Sequence, residues 1–151
     1  MIQFSIKQFS DLSTIELYQL LQLRAEVFVV EQNCPYQDCD GKDLYAAHLL
    51  GFAKDELVAY ARILPNGVSY EHYASIGRVL TKQSVRQKSY GKLLMQEALN
   101  YCQSKFSGAI KISAQAYLEK FYTDLGFVTV SEPYLEDDIP HIAMKWNNTS
   151  S

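Results

Sequence analysis

Apolar and polar residues alternate from the second position: Ile2, Phe4 and Ile6 face one way, against Gln3, Ser5 and Lys7. That period of two predicts a half-buried strand. Ser13 with Glu16 three residues on is a capping-box pattern, which opens a helix through Leu17, Leu20, Leu21 and Arg24 toward Phe28. A polar, turn-rich stretch follows, "EQNCPYQDCDGKD". "HLLGFAKDELVAYARIL" reads as two strands around a turn at Lys54 to Glu56, broken after by Pro65, Asn66 and Gly67. "ASIGRVLT" is a further strand, and the helix after it places Leu94, Ala98 and Tyr101 or Cys102 on one face. Ile110, Ile112 and Ala114 alternate with Lys111, Ser113 and Gln115 as a strand, and "YLEKFYTDLGF" is a short helix closed by Gly126. "FVTV" and "HIAMKW" are the closing strands. The order β-α-β-β-β-α-β-α-β-β contains a strand–helix–strand unit, which implies a parallel pair joined by a right-handed crossover. The expected class is α/β with a mixed sheet.

Composition narrows the function. The 151 residues make a single domain, 1–151, with no repeat or linker-like stretch to divide it. The N-terminus lacks the basic start and apolar core of a secretory signal, and no apolar run reaches the roughly 18 residues of a bilayer span. The expectation is a cytoplasmic protein with no membrane partner. A net charge of −3 argues against nucleic-acid binding by bulk charge. The three cysteines, Cys34, Cys39 and Cys102, read as reduced thiols. Cys34 and Cys39 beside His48 are spaced more widely than a zinc knuckle, so no metal is expected.

Positive charge is concentrated in one place. From His72 to Gln96 there is no acidic residue, whereas Arg78, Lys82, Arg86, Lys88 and Lys92 are all basic. A strand, a short loop and a helix start present unpaired N–H groups and the positive end of the helix dipole. Lysine there is unfavourable unless something negative is held nearby. Gly91 lets the backbone approach a bulky anion such as pyrophosphate. Neither of the common nucleotide-loop patterns, G-x-x-x-x-G-K-[ST] or G-x-G-x-x-G, is present.

"VLTKQSVRQKSYGKLLM" resembles the pyrophosphate-binding segment of the GCN5-related N-acetyltransferases, [QR]-x-x-G-x-[GA], falling on Arg86, Gln87, Lys88, Ser89, Tyr90 and Gly91. Ser89 replaces the first glycine, at about 1 kcal/mol if a positive φ is needed. "SAQAYLEKFYTDLGF" is similar to the family's second cofactor segment, with Tyr122, Gly126 and Phe127 matching Y-x-x-x-G-F. "LRAEVFVVEQNCPYQDCDGKD", "HLL" and "DDIPHIAM" look like the ElaA-like subgroup.

The resemblance implies acetyl-CoA as cosubstrate, with its pyrophosphate on the N–H groups of Gln87 to Lys92 and charge from Arg86 and Lys88. Its pantetheine arm would run along Val79, Leu80 and Thr81 as an added strand. An N–H near Leu80 would polarise the thioester carbonyl. Gln115 and Phe121 complete the expected contacts. Tyr122 is the expected acid for the leaving thiolate, and Glu31 and His48 stand equally as the base. His72 and His141 read as surface or internally satisfied histidines. The acidic runs Asp38, Asp40, Asp43 and Glu136, Asp137, Asp138 suggest a mouth for a cationic small-molecule or peptide amine. A non-catalytic acyl-CoA-binding or sensor module is the alternative, and a homodimer stays open.

Overall fold

A computed structural model describes residues 1–147. Strands β1 (Ile2–Gln8), β2 (Ala47–Ala53), β3 (Glu56–Leu64) and β4 (Ser75–Thr81) form an antiparallel sheet in that order. Strands β5 (Ile110–Gln115), β6 (Val128–Thr129), β7 (Tyr134–Glu136) and β8 (Ile139–Trp146) form a second, in which β8 pairs with each of the other three. The β2–β3 turn is tight because Lys54 and Asp55 both adopt positive φ, the hairpin geometry that matches strand twist.

Helix α1 (Thr14–Arg24) starts at Ser13, whose hydroxyl accepts the Glu16 N–H at 3.0 Å while Glu16 accepts the Ser13 N–H at 2.9 Å. Past Arg24 the chain continues as a wider π turn, Ala25–Glu31, rather than the regular helix that the spacing predicts. Helix α2 (Tyr90–Lys105) buries Leu94, Met95, Ala98 and Cys102 against Leu49, Ala59, Ala61 and Ile63 of the first sheet. The other face of that sheet packs Leu50, Tyr60 and Leu80 on Leu20, Leu23 and Val27. Helix α3 (Glu119–Asp124) is shorter than the sequence pattern and ends at Gly126, with φ +103°.

Two expectations need correction. The parallel pair implied by the crossover is confined to one bridge, Ala74 with Ile110, beyond which β4 and β5 part. Strand β7 was not expected; it forms a hairpin with β8 whose two turn residues, Asp137 and Asp138, both have positive φ.

The first acidic run is consumed internally. Arg24, fully buried, donates from Nε to Asp38 at 2.9 Å and from Nη1 to Asp43 at 2.7 Å. Arg62 on β3 reaches Asp40 at 2.8 and 3.0 Å and Asp43 at 3.1 Å, and Arg78 on β4 reaches Asp38 at 2.8 Å. Burial opposes ionisation of Asp40 and Asp43, but hydrogen bonds and charge from these arginines outweigh it and lower both carboxyls, Asp40 to about 2.

Asp43→Ala leaves two buried guanidinium groups short of an acceptor, and a loss of about 3–5 kcal/mol is expected in urea denaturation. The pH dependence has a definite sign. Asp40 binds its proton less readily folded than unfolded, so its contribution is complete above the ordinary value of 3.8 and disappears as pH falls through about 2. Thermal melts between pH 5 and 2 should show that loss, and Asp40→Asn should flatten it.

Candidate active site

A cleft of about 980 Å³ opens where β4 leaves β5, a volume suited to a small-molecule ligand. Its upper end is closed by the Ala74–Ile110 bridge, where Lys111 N–H donates to Ala74 C=O at 3.0 Å. Below the bridge, the cleft-side edge of β4 has no strand beside it among the described residues.

Strand β4 is irregular at this place. Arg78 and Val79 together stand opposite Ala61, a β-bulge that holds Arg78 at φ +49°. Lys82 donates its N–H to Val58 C=O at 2.7 Å, toward β3. Backbone direction alternates along a strand, so the Leu80 N–H also points to β3, while those of Val79 and Thr81 point into the cleft. The cleft-side N–H groups nearest Leu80 are therefore those of its two neighbours. Leu80 itself is buried in the α1-side core.

The loop ahead of α2 supplies the floor. Ser89 adopts φ +60°, the left-handed conformation, where the resembled pattern carries glycine. Thus the positive φ that the pattern requires is present without the glycine. A Cβ on Gly91 would stand 3.7 Å from Phe121 Cζ and 4.0 Å from Thr81 Cγ2, in ordinary van der Waals contact with both. Ser89, Gly91 and Lys92 line the cleft. Gln87, Lys88 and Tyr90 do not; Lys88 is exposed and Tyr90 packs inward. Lys92, rather than Lys88, is the lysine of this loop that lines the cleft.

Arg86 crosses the cleft. It donates to Thr81 C=O from Nε at 3.1 Å and Nη2 at 3.0 Å, and pairs with both oxygens of Glu31. The hydrogen bond to Glu31 raises the Arg86 pKa above its ordinary value. Glu31, at the end of the π turn, lines the cleft and is paired with the Arg86 guanidinium in this structure.

Tyr122 projects from α3 into the same cleft, with Phe121 and Phe127 set edge-on to its ring at 5.1 and 5.6 Å. Its hydroxyl bonds no other group among the described residues. Burial raises its pKa, which keeps the proton on oxygen at neutral pH. Gln115 at the end of β5 donates to Gln32 Oε1 at 3.3 Å and faces the cleft.

His48 is elsewhere. It has no exposed surface, its Nε2 donates to Asp43 C=O at 2.9 Å and its Nδ1 accepts from the Tyr60 hydroxyl at 2.6 Å. Burial lowers its pKa. It is a satisfied core histidine and not a base in the cleft. His72 is exposed on a loop outside the cleft.

The cleft is also lined by Ser113, Glu136 and His141, of which the sequence marks Glu136 as a rim charge and His141 as a surface or satisfied histidine. Tyr134 donates its hydroxyl to Ser113 Oγ at 2.5 Å, and Ser113 donates to Glu136 Oε1 at 3.1 Å. His141 on β8 lies 3.5 Å from Glu136 Oε2 through Nε2, while its Nδ1 donates to Ile139 C=O at 2.7 Å. The Cys34 thiol donates to Asp137 C=O at 3.4 Å, which brings the two acidic loops together. Because Asp38, Asp40 and Asp43 are neutralised by arginine, only the second run contributes negative charge to the rim. The usable signal was "YLEDDIPH", two turn-forming residues between short strands.

The Acetyltransferase (GNAT) domain family matches residues 18–148. Protein ElaA of Escherichia coli is 48% identical over 147 residues, 95% of each chain. A Schizosaccharomyces pombe protein is 40% identical over 147 residues, 95% of this chain and 96% of its own. The crystal structure of E. coli ElaA superposes with a TM-score of 0.90 at 46% identity, covering 97% of this chain and 99% of that one. An acyl-CoA N-acyltransferase from Pseudomonas aeruginosa gives 0.90 at 44% identity over the same shares. An aminoglycoside 6'-N-acetyltransferase complexed with coenzyme A shares the fold alone, with a TM-score of 0.71 at 16% identity, 95% of this chain and 97% of that one.

Ser89 gives the local test. A left-handed serine costs roughly 1–2 kcal/mol, partly offset by the greater unfolded-state freedom of glycine. Ser89→Gly is expected to raise the melting temperature by a few degrees, about 1 kcal/mol or less. Thermal melts measure it directly.

Proposed function

The chain belongs to the GNAT family of acyl-CoA-dependent N-acyltransferases, and from that premise we propose that it moves acetyl from acetyl-CoA directly to a primary amine of a small molecule or peptide. The observation that carries the reading is the unpaired edge of β4, with the Val79 and Thr81 N–H groups facing a cleft that also holds the Tyr122 hydroxyl.

The pantetheine arm and the pyrophosphate of the cosubstrate each have a counterpart. An extended pantetheine amide chain pairs with the cleft-side edge of β4 at Thr81 as an added strand does. The pyrophosphate is taken by the α2 start, where Ser89, Gly91 and Lys92 combine N–H donors, space and charge. Arg86 is close enough to exchange its Glu31 and Thr81 partners for phosphate oxygens.

Transfer needs a polarised carbonyl and an acid for the leaving sulfur. The Val79 N–H, at the bulge, supplies the first by hydrogen-bonding the developing oxyanion. Tyr122 supplies the second. With burial holding its proton on, its hydroxyl donates to sulfur as the C–S bond breaks.

Two measurements test this. Tyr122→Phe should reduce kcat about 10²-fold or more while leaving the Kd for acetyl-CoA nearly unchanged, because only the hydroxyl is lost. Arg86→Ala with Lys92→Ala should weaken acetyl-CoA binding in calorimetry at low salt and reduce its salt dependence. Unchanged affinity in the double variant would remove the phosphate site from α2. Binding without acetylation of any amine in a broad panel would mark a binding module instead.

A further inference from the structure

We propose that His141 and Glu136 form the acceptor-amine site, Glu136 holding the incoming ammonium and His141 removing its proton. The inference rests on the acetyltransferase reading above and adds to it the base and the charge state of the substrate that enters.

The hydrogen bonds fix the chemistry. Ile139 C=O can only accept, so His141 Nδ1 carries the proton when the ring is neutral. His141 Nε2 then presents a lone pair. It faces Glu136 Oε2 at 3.5 Å, and a carboxylate oxygen is also an acceptor. While the ring is neutral, these two acceptors turned toward one another leave a place for a shared donor, and an alkylammonium offers three N–H groups to satisfy both. Glu136 is not free to swing away, because Ser113 Oγ donates to its other oxygen at 3.1 Å and is itself fixed by Tyr134. The imidazole is held by β8 pairing with Gln115 opposite it on β5, and by stacking on Tyr134 at 6.3 Å between centroids.

The other histidines are excluded by position. His48 has both ring nitrogens engaged in the core, and His72 lies on an exposed loop. His141 lines the same cleft as Tyr122, keeps 7% of its surface accessible, and stands beside an exposed carboxylate.

The proton account closes. The ammonium gives one proton to His141 Nε2, and the freed nitrogen lone pair forms the N–C bond to the thioester carbonyl carbon. As the C–S bond breaks, its electron pair goes to sulfur, which takes the Tyr122 proton. The second proton lost from nitrogen restores the Tyr122 hydroxyl, and the His141 imidazolium releases its own to solvent at the rim. The net products are amide, thiol and one proton.

The experiment follows the imidazole nitrogens by long-range ¹H–¹⁵N NMR, with the His141 resonances assigned from a His141→Gln spectrum. Coenzyme A binding is measured first by calorimetry. Then n-butylammonium is titrated into the coenzyme A complex. A saturable shift at His141 Nε2 is expected, with a neutral Nδ1–H tautomer beforehand. Glu136→Gln, an exposed substitution that leaves the strand pairing intact, should weaken the amine response about tenfold or more, as loss of a charged hydrogen bond does. Absence of a shift at His141, or a shift of equal strength in Glu136→Gln, overturns the proposal. Failure of coenzyme A itself to bind overturns the acetyltransferase reading instead, so the two failures are separable.

Discussion

Three arginines and three aspartates, paired with one another and largely out of solvent, hold this molecule's active region in register. Arg24 comes from α1, Arg62 from β3 and Arg78 from β4, and all of them converge on the single segment from Asp38 to Asp43. Separating such charges from water is costly unless each finds partners of good geometry, so the segment has few alternative positions. It closes one wall of the cleft and leads straight into β2. The Arg78–Asp38 contact also falls at the bulge, where a non-glycine residue sits at positive φ, and helps to hold that strained backbone. One atom remains unmatched: Arg62 Nε is buried without an acceptor among the described residues. The cluster therefore favours position over maximal stability.

Backbone irregularity is concentrated around the same cavity. The π turn ends at Glu31, the bulge occupies Arg78 and Val79, the left-handed residue is Ser89, and β4 leaves β5 after one bridge. Each is unfavourable as local structure, and each either opens space or turns a polar group inward. Regular packing continues on both sides. α2 covers one face of the first sheet and α1 the other, with small residues, Ala59 and Ala61, where α2 approaches β3. A rigid frame with local departures at one place is the pattern expected of a functional site.

Much of the frame was legible in the chain. The alternation in 2–8 and 110–115, the Ser13–Glu16 box and the stop at Gly126 all describe interactions within a few residues, and the structure contains each of them. The family motif located the helix start that lines the cleft and pointed to Tyr122, because short motifs encode local backbone shape. β7 was missed because three exposed residues carry too little periodicity to stand out. His48 was misplaced for a different reason. A histidine beside an acidic loop looks the same in sequence whether its ring meets solvent or the Tyr60 hydroxyl.

Local order, then, was determined by the sequence itself: strand period, helix caps, tight turns and the positively charged helix start. Partners distant along the chain were decided only by tertiary structure. Arg86 meets Glu31 across 55 positions, Arg78 meets Asp38 across 40, and His141 and Tyr122, from different elements, come to line one cleft. Charge and chemistry belong to residues, but whether a carboxylate is a base, a counter-ion or a rim charge depends on what folding brings within a few ångströms of it.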